Sequence, residues 1–228
     1  MKHTIIIFFP VVLFVLSFSS CTPKESQICS KNAYQFTATD TSWKQLSLRE
    51  KIGQTMMITS DYYAHLQVGN GSLEQFFNKY PIGGMFMAQW HFMYNKPDDL
   101  LFEEFIPRII QEYNDASKFP LFFSEDFERG TGYLYNTGTK QPVLMTLGAA
   151  NDTALAYTYG QILSQESRAL GINWLLHPVA DLNMNPLHPL VIERAVSDKE
   201  TIALPILRAQ IRGMHQQGVV STVKHFPG

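Results

Sequence analysis

The residues best suited to chemistry are Lys224 and His225, which follow the apolar run 219–223. A charged Lys-His pair at the end of an apolar run is typical of site residues at the tip of a strand. Only Phe-Pro-Gly, 226–228, follows in this sequence. A strand tip that carries chemistry normally opens into a loop and a helix. We therefore expect the sequence to be the front part of a longer protein.

Helix and strand signals alternate along the chain before this pair. Residues with N-cap character precede each predicted helix: Ser47, Ser72, Asp98 or Asp99, Asn151 or Asp152, and Ser197. Apolar runs lie between the helices and predict strands: 55–58, 81–87, 120–123, 174–176 and 219–223. Prolines 107 and 205 fall inside two of the predicted helices, where we expect them to bend or interrupt the helix.

Repeated strand-helix units with apolar strands predict an α/β fold in which helices cover a parallel sheet. Two architectures fit this pattern. One is an open doubly wound sheet, and the other is a TIM-type (β/α)8 barrel, incomplete here with about five βα units. The candidate site residues follow strands, which favours the barrel because barrels place their chemistry at that face. An open sheet also places sites at strand ends.

Composition describes an ordinary globular chain and excludes one class of partner. The 228 residues are 45% hydrophobic and 17% charged, with a formal net charge of -2. This apolar content suffices for a sizeable core in one domain. A near-neutral chain without basic runs lacks the electrostatic footprint of phosphate binding, so we expect no nucleic-acid partner.

The first 20 residues have the pattern of a signal peptide. A weakly basic start precedes the apolar stretch 5–18, which is too short to span a bilayer, and small residues follow it. Residues 16–21 resemble the lipobox of bacterial lipoproteins, in which the cysteine, here Cys21, becomes the lipid-modified first residue. Residues 21–40 would then form a polar tether. The alternative is plain secretion with an incidental Cys21.

A lipid on Cys21 would anchor the protein to a membrane and place it in the cell envelope, facing the periplasm or the surface. Cys29 would then be the single remaining cysteine of the mature chain. An intrachain disulfide and a metal site built from cysteines are therefore not expected.

Several segments of the domain 41–228 resemble a known family in order and in spacing. They are Glu50–Gln54, 81–84, 126–130, 147–148, 166–173, 178–186 and 224–228. Together they look like the amino-terminal domain of glycoside hydrolase family 3, and the resemblance extends over about residues 46–228. It implies a barrel-type domain in an enzyme that cleaves terminal β-linked sugars with retention of configuration.

The resemblance assigns roles to individual positions. Asp126 matches the family's carboxylate that holds sugar hydroxyls, and a carboxylate can accept two such hydrogen bonds. Arg194, Lys224 and His225 match the other sugar-binding residues of the family. The alternatives are a helix-capping role for Asp126 and an ordinary surface role for Arg194.

Two further carboxylates, Asp181 and Glu128, are candidates for substrate binding or for orienting the residues that touch sugar. His177 and His188 are predicted to be structural or to lie at the rim. The sequence also departs from the family pattern. Arg129 replaces a glycine, Leu134 stands where the family has an arginine, and 195–197 replace Ser-Phe-Gly.

The resemblance implies that the catalytic residues lie after Gly228. The family's nucleophilic aspartate comes two strands beyond the Lys-His pair, and in the hexosaminidase branch a histidine just after it moves the proton. We therefore expect a substrate-binding half-site here, with no catalytic residue, metal or cofactor. Phe-Pro-Gly after Lys-His is closer to the hexosaminidase branch than to the β-glucosidase branch of the family. This resemblance favours β-N-acetylglucosamine as the sugar, with a β-glucosidase as the next choice. The rival hypothesis is a truncated or degenerate envelope lipoprotein that binds glycans without catalysis.

Overall fold

A computed structural model of the chain describes residues 41–60, 71–92 and 101–226. The predictions about the signal peptide, Cys21, Cys29 and the tether fall outside these residues. Within them, no helix is both long enough and apolar enough to cross a membrane.

Short strands alternate with helices along the described chain. The strands are β1 (Met57–Thr59), β2 (Gly84–Phe86), β3 (Phe122–Glu125), β4 (Trp174–Leu175) and β5 (Val220–Ser221). The helices are α1 (Leu48–Gln54), α2 (Leu73–Lys79), α3 (Gln89–Phe92), α4 (Phe102–Ala116), α5 (Thr131–Leu134), α6 (Leu144–Ala150), α7 (Thr153–Ala169) and α8 (Glu200–Gln216). Single 3-10 turns cover Ser42–Gln45 and Ile192–Arg194.

The five described strands form one parallel sheet in the order β1-β2-β3-β4-β5. Ile58 pairs with Met85, Met85 with Phe123, and Glu125 with Leu175. A doubly wound sheet reverses its strand order at a switch point, whereas a (β/α) barrel adds each strand beside the one before it. The observed order therefore confirms the barrel type, of which these strands form an incomplete part.

Two of the predicted helix starts are capping boxes as expected. The main-chain N–H of Glu50 donates to Ser47 Oγ over 3.2 Å, and Glu50 Oε2 accepts from the main-chain N–H of Ser47 over 2.8 Å. Ser72 and Gln75 make the same reciprocal pair at the start of α2. Each box satisfies N–H groups that the first turn leaves without a partner in the helix.

Other helix predictions need correction. The N-cap of α8 is Lys199, and Ser197 Oγ accepts from the Lys199 N–H over 3.1 Å, so the predicted capping box at Ser197 does not form. Helix α4 begins at Phe102 after Leu101, although Asp98 and Asp99 themselves lie outside the described residues. Helices α5 and α6, between β3 and α7, were not predicted.

Pro107 and Pro205 lie inside α4 and α8 without interrupting either helix. Both occupy the second turn, so the carbonyl groups that lose a partner belong to the exposed residues Glu103 and Thr201. Water can satisfy those carbonyl groups, and the cost of an interior proline is lower there than in mid-helix.

The core lies between the sheet and the covering helices. Met85, Phe123 and Leu175 point from three adjacent strands into this layer and are 0–1% exposed. Ile106 of α4, Leu163 of α7 and Ile206 of α8 are equally buried within the same apolar cluster. This packing holds the carboxyl ends of β3, β4 and β5 at fixed distances from one another.

Candidate functional site

The carboxyl ends of β3, β4 and β5 bring together the six residues that were predicted to bind substrate. Pairing continues past the last two strands through a bridge between Val179 and Lys224. The N–H of Ala180 donates to the Lys224 carbonyl over 2.6 Å, and the Lys224 N–H donates to the Pro178 carbonyl over 3.1 Å. These bonds fix the Lys224 backbone beside the segment that leads to Asp181.

Lys224 links two carboxylates from the segment after β3. Its Nζ lies 2.5 Å from Asp126 Oδ1 and 2.7 Å from Glu128 Oε1. The Lys224 side chain is 13% exposed and that of Asp126 is 35% exposed. Among the described residues, Asp126 uses only Oδ1 of its carboxylate for hydrogen bonds, so Oδ2 is available to a ligand.

Arg194 also binds the Glu128 carboxylate. Its Nη2 donates to Oε1 over 2.5 Å and its Nε donates to Oε2 over 2.7 Å, which is a two-point contact. The 3-10 turn Ile192–Arg194 positions this arginine in the loop between β4 and α8. Glu128 thus receives three hydrogen bonds from two cations.

Electrostatics keep Glu128 ionised. Burial raises the pKa of a carboxyl group, but the hydrogen bonds from Arg194 and Lys224 outweigh burial and lower the pKa of Glu128 to about 2. The hydrogen bonds to Glu128 also raise the pKa of Arg194. Glu128 is therefore a fixed counter-ion that is poorly suited to giving up or taking a proton near neutral pH.

His225 and Asp181 form a hydrogen-bonded pair beside these ion pairs. Nδ1 of His225 lies 2.6 Å from Asp181 Oδ2, and the His225 main-chain N–H donates to the same oxygen over 3.3 Å. Asp181 Oδ2 accepts the hydrogen bond from Nδ1 of His225, so Nε2 is the ring nitrogen that lies 3.4 Å from Arg194 Nη2. The aspartate is buried, whereas half of the His225 side chain is exposed.

A depression of about 530 Å³ adjoins this cluster on the side of Asp181 and His225. Asp181, Lys224 and His225 line it together with apolar side chains, among them Leu182, Met184 and Val223. The cluster can therefore offer hydrogen-bond donors and acceptors to a polar ligand, with an apolar surface next to them.

The two remaining histidines of this region differ in position. His177 is fully buried, with Nε2 2.8 Å from Gln210 Nε2, and burial lowers its pKa to about 3. His188 is exposed, and its Nδ1 accepts from the N–H groups of Leu190 and Val191. The structure thus places one histidine in the core and the other in an outer loop.

Glu125 and Tyr135 were missed from the sequence, although both adjoin the cluster. The predicted strand 120–123 stopped two residues early, because β3 extends to Glu125 and buries its carboxyl group completely. A carboxylate directly before Asp126 at the end of an apolar run was the available signal. Tyr135 follows a helix that had not been predicted, so no signal pointed to it.

The described residues contain no group of three or more His, Cys, Asp and Glu side chains placed to hold a metal ion. The carboxylates of the cluster are bound to Lys224, Arg194 and His225 instead.

Comparison with known proteins identifies the family of the chain. Residues 47–228 match the family model described as "Glycosyl hydrolase family 3 N terminal domain". Beta-hexosaminidase A of Pseudoalteromonas piscicida is 26% identical over 200 residues, which are 80% of this chain and 33% of that protein. A beta-hexosaminidase of Xylella fastidiosa is 32% identical over 121 residues, which are 50% of this chain and 36% of that protein.

Solved structures agree with the family match. The beta-glucoside phosphorylase BglX has a TM-score of 0.66 at 26% identity, covering 88% of this chain and 34% of its own. A glycoside hydrolase family 3 beta-N-acetylglucosaminidase from Paenibacillus sp. has a TM-score of 0.60 at 26% identity. The match covers 80% of this chain and 34% of that protein. The chain spans about a third of the length of these relatives. By its sequence match and its fold, the chain belongs to glycosyl hydrolase family 3, through the N-terminal domain of that family.

Proposed function

We propose that this chain binds the terminal sugar of a β-linked glycan, preferably β-N-acetylglucosamine, within a retaining glycosidase. The observation that carries this proposal is the convergence of Asp126, Arg194, Lys224 and His225 at the carboxyl ends of three adjacent strands. Relatives named beta-hexosaminidase and beta-N-acetylglucosaminidase support the choice of sugar.

Asp126 is the proposed anchor for the sugar. Its side chain is partly exposed, one carboxylate oxygen is held by Lys224, and the other is available to a ligand. A sugar ring carries neighbouring hydroxyl groups that can donate to this oxygen while they accept from Lys224 or Arg194. Hydrogen bonds to charged groups are shorter and stronger than those between neutral partners, which suits a neutral ligand that is rich in hydroxyl groups.

Glu128 and Asp181 are proposed to position the residues that touch the sugar. Glu128 holds both Arg194 and Lys224, and Asp181 holds His225 by its ring and by its main-chain N–H. Fixed donors bind a ligand more tightly than mobile ones, because their conformational freedom is already lost before binding.

Hydrolysis with retention needs a nucleophile and a proton donor at the cleaved bond. Glu128 does not suit either role, because its charge is held by two cations. We assign the sugar-binding part of the reaction to the cluster. Cleavage of the β-N-acetylglucosaminide bond is proposed for the whole protein.

Asp126→Ala should weaken the binding of methyl N-acetyl-β-glucosaminide by roughly ten- to a hundredfold, since a hydrogen bond to a charged group contributes about 1.5–3 kcal/mol. Binding is measured with the full chain by ligand-observed NMR and titration calorimetry. Asp115→Ala is the matched control, because Asp115 is an exposed aspartate of α4 that bonds Gln111. Equal affinity of the Asp126 and Asp115 variants would remove Asp126 from the sugar site. Methyl β-glucoside, tested in parallel, decides between the two branches of the family.

We also propose that residues 1–20 direct export and that lipid on Cys21 anchors the protein in the cell envelope. The pattern of a short apolar stretch followed by small residues and Cys21 supports this proposal. Cys21→Ser should move the expressed protein from the detergent phase to the aqueous phase in detergent partitioning. Ser20→Ala serves as the control, since it leaves the cysteine in place. An unchanged partition of the Cys21 variant would exclude the lipid anchor.

A further inference from the structure

A buried carboxyl group lies directly before the proposed sugar anchor. Glu125 is the last residue of β3, and its side chain is fully buried. Its hydrogen-bond partners among the described residues are Tyr135 and main-chain N–H groups, and none of them is a cation. An isolated buried carboxylate is costly, so such a group normally takes up a proton.

The hydrogen bonds around Tyr135 require a second donor. Its phenol oxygen lies 2.7 Å from the Met87 carbonyl oxygen and 2.8 Å from Glu125 Oε2. A phenol carries one hydrogen, and the Met87 carbonyl can only accept. When Tyr135 donates to Met87, the contact with Glu125 is a hydrogen bond only if the carboxyl group carries the proton and donates it to Tyr135.

The other oxygen of Glu125 faces donors. Oε1 accepts from the main-chain N–H of Asp126 over 2.9 Å, and the main-chain N–H of Gln89 also bonds this carboxyl group. A neutral carboxylic acid therefore matches all of these partners, with one O–H donor and one accepting oxygen. Burial raises the pKa of Glu125 to about 8, in agreement with the geometry.

We propose that Glu125 is a positioning residue of the sugar site, acting as a neutral acid that ties the Asp126 backbone to Tyr135 and Met87. This inference rests on the proposed sugar-binding function. These hydrogen bonds join Met87 after β2, Tyr135 after α5 and Glu125 at the end of β3. Because Asp126 follows Glu125 directly, a fixed Asp126 N–H fixes the direction in which its side chain leaves the sheet.

Ionisation of Glu125 would weaken these hydrogen bonds and thereby weaken sugar binding. The titratable groups that face it in the described chain are Asp126 and Tyr135. Burial raises the pKa of Tyr135 well above its ordinary value, so the phenol stays neutral while Glu125 titrates. An ionised Glu125 would repel the adjacent Asp126 carboxylate and lose its donor to Tyr135.

Two variants of the full chain separate this role from ordinary core packing. Glu125→Gln keeps an accepting oxygen and supplies an N–H donor for Tyr135, whereas Glu125→Leu keeps only the bulk. We expect Glu125→Gln to bind methyl N-acetyl-β-glucosaminide within about twofold of the native affinity, and Glu125→Leu roughly tenfold more weakly. The native affinity should fall roughly tenfold between about pH 6 and about pH 9, and the Gln variant should lack this fall.

The protonation state of Glu125 is measured without sugar, by ¹³C NMR of its carboxyl carbon. The signal is assigned to Glu125 because it disappears in Glu125→Gln. This signal should shift near the pH of the affinity change, far above the ordinary titration range of a glutamate. The proposal would be overturned if the Glu125 carboxyl group titrates in the ordinary range of a glutamate. It would also be overturned if Glu125→Gln and Glu125→Leu lose sugar affinity equally. If Glu125→Leu fails to fold, Tyr135→Phe takes its place, and it should lower the affinity and shift the Glu125 titration.

A native chain that binds neither sugar would instead overturn the proposed function. The role of Glu125 in sugar binding would fall with it, whereas the ¹³C titration would still report whether the acid is neutral. Both proposals would be supported if the sugar affinity of the native chain depends on pH while that of Glu125→Gln does not.

Discussion

Glu128→Gln is expected to destabilise the fold by about 3 kcal/mol near neutral pH, and to weaken sugar binding by roughly tenfold. The stability estimate follows from the lowered pKa of about 2, against an ordinary value of 4.5. An ionised Glu128 accepts three hydrogen bonds from Arg194 and Lys224. A neutral amide leaves the partly buried Arg194 without its counter-ion, and Lys224 keeps only Asp126. Removing one partner is the costly way to break such a pair.

The pH dependence provides a second test of the same variant. A carboxylate with a lowered native pKa stabilises the fold above its unfolded-state pKa, and the stabilisation is lost as the pH falls from about 4.5 to about 2. The native protein should therefore lose more stability in acid than Glu128→Gln does. Urea unfolding followed by circular dichroism at several pH values measures the difference.

Glu112→Gln is the matched control for this prediction. Glu112 also pairs with an arginine, Arg108, over 3.2 Å, but both side chains are exposed on α4. Exposed pairs contribute at most about 1 kcal/mol, so this control should change little. Equal destabilisation by the two variants would mean that the pair of Glu128 and Arg194 is no stronger than a surface contact.

Much of the fold could be predicted from local signals. The capping boxes at Ser47 and Ser72 depend on residues three apart, and local hydrogen bonds decide whether they form. The same spacing failed at Ser197, because its hydroxyl instead accepts from Lys199 two residues later. The four-residue motif alone does not determine whether the Ser197 hydroxyl accepts from the N–H of Lys199 or from that of Glu200.

The residues of the candidate site could be predicted from the sequence, but the contacts between them could not. Strand ends placed Asp126, Asp181 and Lys224 at one edge of the sheet, as the parallel pattern implied. The pairing of Arg194 with Glu128 depends on the path of a loop that has no regular pattern. The contribution of each residue to sugar binding stays a prediction until binding is measured.

Gly160→Ala and Gly213→Ala are each expected to destabilise the fold by about 2 kcal/mol. These glycines lie where α7 and α8 cross, and a Cβ at Gly160 would be 2.2 Å from the Gln210 carbonyl oxygen. A Cβ at Gly213 would be 2.2 Å from the Tyr157 carbonyl oxygen. Both contacts are with main-chain atoms, which cannot rotate away as a side chain can. The two helices must therefore move apart to accommodate the added methyl group. Overpacking costs roughly 1–3 kcal/mol, and a clash with main-chain atoms belongs at the upper end of this range. The gain in helix propensity offsets about 1 kcal/mol of that cost.

Gly71→Ala is the control, because an added Cβ there would lie 3.6 Å from Gln75 Oε1, an ordinary contact distance. It should change the urea midpoint little. A midpoint for Gly160→Ala or Gly213→Ala that matches this control would show that the two helices part without cost.

The double variant distinguishes helix separation from two local clashes. Once one methyl group has pushed α7 and α8 apart, the second enters space that is already open, so the combined cost should be smaller than the sum. Separation of the two helices should also change the geometry of the proposed sugar site. Gln210 of α8 bonds His177, and the segment that follows His177 pairs with Lys224 through Val179. Reduced sugar affinity in folded Gly213→Ala, with native affinity in Gly71→Ala, would therefore show that the helix crossing sets the position of the lysine.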